Sequence, residues 1–140
     1  MMTKSKNNDL WAEIPEVTEL TPKHLMKEQA AYLKQKTKGL LHAEVSTSRT
    51  INEDEIISPQ YMDETFTQTF SLVVPTLKYR YDLFSVSHYI LGYPAEFHYD
   101  DGDKKMIANN EEEFLNILKH ILSSDKTSHI LASLLAQARA

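Results

Sequence analysis

The chain contains no cysteine, and its 140 residues include only three glycines, Gly39, Gly92 and Gly102. Without cysteine there is no disulfide framework, no thiolate-held zinc or iron–sulfur cluster and no cysteine nucleophile. The closest glycines stand ten positions apart. Neither a Walker-type nor a dinucleotide-type phosphate loop can be built from them, nor a Gly-x-Ser-x-Gly elbow. No apolar run approaches the roughly 18 residues that a membrane span needs. The polar start Met1–Asn8 lacks the apolar stretch of a signal peptide. Basic charge is also short: 15 lysines and arginines face 20 acids, for a formal net charge of -5. Nucleic-acid binders draw most of their affinity from neutralising phosphates, so nucleic acid is an unlikely partner. The densest basic stretch, Lys34, Lys36 and Lys38 after Lys23 and Lys27, reads as a solvated helix face.

What is present is ordinary globular material, 41% hydrophobic and 25% charged. The length suits an N-terminal arm over residues 1–20 and a single α+β domain over 21–140, in a cytoplasmic protein. The arm offers Leu10, Trp11, Ile14, Val17 and Leu20 at near three-residue steps. Trp11 is expected to clip onto the domain's own core, the alternative being an anchor on a partner surface.

Thr21-Pro22 starts a helix running to about residue 38, with Gly39 placed for a left-handed C-cap. Leu41 to Thr47 alternates as a strand. Residues 51–63, with Glu53, Asp54, Glu55 and Pro59, form a long connection in which Ile56, Ile57 and Met62 should still pack. Residues 65–74 are the clearest strand, Phe66, Phe70, Leu72 and Val74 opposing Thr65, Thr67, Thr69 and Ser71. Residues 79–91 fit a strand through Tyr79, Tyr81 and Leu83, and a helix through Leu83, Val86 and Ile90; aromatic and β-branched content favours strand. Ala95–Tyr99 and Lys104–Ala108 flank an Asp-Gly hairpin turn. Asn110 caps a second helix with the apolar stripe Phe114, Leu115, Leu118, Ile121 and Leu122, broadened by Ile117. Ser124 or Asp125 caps a third carrying Ile130, Leu131, Leu134, Leu135 and Ala138. The predicted fold is an antiparallel sheet of four to five strands, with one helix before it and two after it packed largely on one face.

Four constellations could carry function. His98 and Asp100, with His88 if register allows, are the candidate metal or hydrolytic site, although no spacing puts two ligands on one helix face. Ser85, Ser87, His88 and Asp82 are neighbours in sequence, but Ser87 and His88 point apart on a strand. Lys78, Tyr79, Arg80 and Tyr81 alternate cation and aromatic, as a weak single-stranded nucleic-acid platform would. Finally, Glu96, Asp100, Asp101, Asp103, Glu111, Glu112 and Glu113 outnumber Lys104 and Lys105. If the hairpin tip lies beside the start of the second helix, these acids form one surface able to steer a basic partner.

The small acidic chain and its helix–strands–helix order resemble the small dimeric secretion chaperones of pathogenic bacteria. The resemblance is one of element order, carried by no motif, and it requires part of 79–91 to be helical. Small acidic inhibitors and immunity proteins share the same gross traits. With no cofactor expected, the reading is a non-enzymatic protein-interaction module that binds a partner protein or itself through the acidic surface or an open sheet face. The alternatives are a small metal-dependent or hydrolytic enzyme using His98 and Asp100, and the nucleic-acid binder.

Overall fold

The computed structural model describes residues 8–16, 18–50, 64–100 and 102–140. Helix α1 (Pro22–Lys36) leads into five strands: β1 (His42–Thr50), β2 (Thr65–Val74), β3 (Tyr79–His88), β4 (Ala95–Tyr99) and β5 (Lys104–Ala108). Helices α2 (Glu111–Leu122) and α3 (Asp125–Arg139) follow. The strands lie in chain order and pair antiparallel throughout. Short turns join β2 to β3, β3 to β4 and β4 to β5, which is why neighbours in sequence are neighbours in space. Expectations for Val17, for the 51–63 connection with Ile56, Ile57 and Met62, and for Asp101 lie outside the described residues.

Local chemistry sets the helix ends. The Thr21 hydroxyl accepts the His24 N–H at 3.4 Å, with Pro22 in the first helical position. Gly39, at φ +82°, donates its N–H to Lys34 O at 2.9 Å, a reversal that a side chain there would strain. Asn110 Oδ1 accepts the Glu113 N–H at 2.9 Å, while the Glu113 carboxylate reaches back to the Asn109 N–H at 2.8 Å. Of the two candidate caps for α3, Ser124 serves, its Oγ accepting the Thr127 N–H at 3.2 Å.

Residues 79–88 are strand, not helix, which departs from what the secretion-chaperone order requires. Phe70 pairs with Phe84 but Ser71 pairs with Asp82, leaving Leu83 as an extra residue in β3. This bulge changes the parity of the strand, so Tyr79 and Tyr81 before it share a face with Phe84, Val86 and His88 after it. Inward residues that switch from odd to even positions midway imitate helical spacing, and that is the source of the ambiguity in the sequence.

The apolar face of the sheet carries all three helices. Phe70 stacks on Phe84 at 5.0 Å, Phe84 on Phe97 at 5.9 Å, and Phe97 meets Phe114 of α2 at 4.6 Å. Leu25 and Met26 of α1, Leu118 and Ile121 of α2 and Leu134 of α3 close the cluster. The α2 stripe centres on Ile117, which is buried, whereas Leu115 is exposed and Leu122 only half-buried.

Trp11 does not clip onto the domain: Leu10, Trp11 and Ile14 are 95%, 82% and 79% exposed. The arm is held by polar bonds at its root instead. The Tyr93 hydroxyl donates to Leu20 O at 2.6 Å, the Leu20 N–H to Glu111 Oε1 at 2.7 Å and the Glu111 N–H to Glu19 Oε2 at 2.9 Å. Burial, then the charges of Glu19 and Glu111, push the Tyr93 phenol from 10.0 up to about 12. The fold therefore favours the neutral phenol. Its contribution is present below pH 10 and is lost as pH rises through about 12. In an alkaline denaturation series, Tyr93→Phe should flatten the fall in stability across that window. At neutral pH it should cost about 1 kcal/mol, the worth of one hydrogen bond. An unchanged alkaline profile would show that Tyr93 does not anchor the arm.

Candidate interaction surface on the open sheet face

The second face of the sheet carries no helix among the described residues, and it is built almost wholly from hydroxyl and charged side chains. The alternation of β2 sends Thr65, Thr67, Thr69 and Ser71 to this side, because Phe70, Leu72 and Val74 take the core and Phe66, half-buried against His88, shares their side. Its centre is satisfied internally. Ser71 donates to Asp82 at 2.6 Å, Arg80 to Glu44 at 2.6 Å, and the Thr67 and Ser87 hydroxyls meet at 3.3 Å. His98 Nε2 lies 3.0 Å from Glu96, with Lys105 4.0 Å from the same carboxylate. Exposed pairs of this kind are worth about 0–1 kcal/mol each, so they tune the surface more than they hold the fold.

One end of the face differs. Tyr89, Ile90 and Leu91 in the β3–β4 turn are 46%, 77% and 86% exposed, and Ile107 on β5 is 54% exposed. Tyr89, Pro94, Glu96 and Ile107 line a cleft of about 170 Å³ with Thr65 and Ser87 on its wall. An apolar centre rimmed by polar side chains is the anatomy of a protein–protein contact.

The structure divides the acidic residues that the sequence groups together. Glu96 lines the cleft. Glu111 and Glu112 open α2 at the same end of the sheet, because Ala95 pairs with Ala108 just before that helix. Asp100 and Asp103 lie in the β4–β5 turn at the other end. There Asp100 meets Lys126 at 3.1 Å and Lys104 at 3.4 Å, and the hydrogen bond from Lys126 leads in holding its carboxyl below the usual range. The reason is direction: α2 runs back along the sheet, so its C-terminal end, with His120 and Ile121, meets the hairpin tip. The condition for one continuous acidic surface is therefore not met. Glu113 is taken up by Asn109.

The other constellations are also separated. His88 pairs with Ala95 and faces the core, His98 pairs with Ser85 on the open face, and Asp100 turns to the two lysines. Among the described residues no group of three or more His, Asp or Glu side chains is placed to hold a metal ion. Ser87 meets Thr67 on the open face, away from His88. Tyr79 and Tyr81 face α3, whereas Arg80 points to Glu44, so Arg80 and the two rings do not share a surface.

Two features were missed in the sequence. The strand expected over 79–91 stops at His88, and Tyr89–Leu91 form an exposed turn whose apolar residues look like core in the sequence. The other is a polar chain on the core face, buried at Gln68 and His88. Thr47 Oγ1 donates to Gln68 Oε1 at 2.7 Å, Gln68 Nε2 meets His88 Nε2 at 3.2 Å, and His88 Nδ1 meets Tyr89 O at 2.8 Å. A carbonyl only accepts, so Nδ1 carries the proton there and Nε2 accepts from the Gln68 amide. No helix among the described residues is long and apolar enough to cross a membrane. No family model matches the chain, and no curated protein or solved structure matches it either.

Proposed function

We propose that the chain is a protein-interaction module whose contact surface is the apolar end of its open sheet face. The observation that carries this reading is a polar-rimmed cleft lined by Tyr89 and Ile107, with Ile90 and Leu91 exposed in the turn that continues from Tyr89. Glu96 in the cleft, with Glu19, Glu111 and Glu112 at the same end, suits a partner that brings an apolar anchor and a basic rim. The cysteine-free composition supports a cytoplasmic setting for that contact.

Affinity capture with the full chain as bait, compared with an Ile90→Asp/Leu91→Asp bait, tests the reading. Both side chains are exposed, so circular dichroism should be unchanged. A partner held by the wild type should bind the double variant at least about tenfold more weakly, as loss of an interface anchor does. Rising salt should slow its association. Partners retained equally by both baits would place the contact elsewhere.

A further inference from the structure

The exposed arm and the groove beside α3 are complementary, and we propose that Leu10, Trp11 and Ile14 of one copy seat in that groove on a second copy. The groove lies at the opposite end of β3 from Ile90, so this inference is independent of the partner surface above. It has a volume of about 460 Å³ and is walled by Tyr79, Tyr81, Ile130 and Leu134, with His129 and Gln137 at its rim.

Two observations select a second copy as the occupant. The first is reach. Leu20 is tied to Tyr93, beyond the C-terminal end of β3, while Tyr79 begins that strand. Ten strand residues at about 3.3 Å each separate the two ends by about 30 Å. Ile14 stands six residues before Leu20 and spans at most about 20 Å from it. The arm therefore cannot lay all three apolar side chains in its own groove. The second is charge. Between residues 9 and 20 the arm holds Asp9, Glu13, Glu16 and Glu19 and no cation. Among the described residues no acid lines the groove, α3 has no acid after Asp125, and Arg139 stands two residues past Gln137 on that helix. Each copy supplies both an arm and a groove, so the exchange is reciprocal and closes as a two-fold dimer.

Trp11 is the single tryptophan, so its emission reports the arm directly. The full chain is followed by fluorescence and sedimentation from low micromolar to near millimolar concentration. The expected result is a blue shift of the emission that develops together with a doubling of mass. Trp11→Ala, read by sedimentation, and His129→Glu/Gln137→Glu, read by both, should each weaken dimerisation at least about tenfold with unchanged circular dichroism. All three positions are exposed, so loss of folding is not expected. Emission of a solvated indole and a monomeric mass at every concentration would overturn the proposal. A blue shift independent of concentration would also overturn it, since the arm would then lie on its own chain. A concentration-dependent shift untouched by His129→Glu/Gln137→Glu would remove the groove as the seat.

Discussion

Phe97→Ala should lower the stability of the domain by about 3–5 kcal/mol, the usual cost of truncating a buried phenylalanine. Phe97 is completely buried and is the ring through which the sheet and α2 meet, with Phe84 at 5.9 Å on one side and Phe114 at 4.6 Å on the other. Its removal takes away apolar burial and also two ring contacts that no neighbour can replace without moving a backbone element. Against a total stability of about 5–15 kcal/mol, that loss leaves a marginal domain. Urea denaturation should show the midpoint fall by about 2 M with an unchanged slope. Leu115→Ala on the same helix, at 39% exposure, should cost under about 1 kcal/mol. Equal effects of the two substitutions would mean that the aromatic stack does not join the layers.

Gln68→Leu should cost about 2 kcal/mol for a different reason. The leucine fits an apolar surrounding, but it removes the amide that donates to His88 Nε2. Gln68 and His88 are both buried, so that nitrogen would stay unpaired, whereas the exposed Thr47 hydroxyl can turn to water. Replacing both members, Gln68→Leu with His88→Phe, should recover stability to within about 1 kcal/mol of the wild type. Phe66 already stacks on the His88 ring at 5.8 Å, and a phenyl ring suits that place. A double-mutant cycle measures the coupling. Additive losses would show that the chain of bonds contributes nothing as a unit.

Much of the architecture was legible in the sequence because its signals were local. The Thr21-Pro22 start, the Asn110 cap and the alternation of Phe66 to Val74 each act within a few residues, and each appears as expected. What failed to show was what depends on register. One extra residue at Leu83 decides which side of β3 every later side chain takes, and nothing in the composition of 79–91 marks it. Register also carries His88 away from His98, and the return direction of α2 carries Asp100 away from Glu111. Trp11 was misplaced for a related reason: an apolar side chain predicts burial, but only geometry says in what. The candidate surface lay hidden because Ile90 and Leu91 look like core until the strand is seen to stop at His88.

The strand order β1-β2-β3-β4-β5 has a consequence for how the protein is made. Every strand pairs with the one just synthesised, so the sheet can assemble as it leaves the ribosome, residue order matching spatial order. Its apolar face, with Phe70, Phe84 and Phe97, is only partly roofed by α1 at that stage. The remaining cover, α2 and α3, comes last in the chain. Until α2 and α3 pack, that face stays open, so the cover of the sheet depends on segments that follow it in the chain.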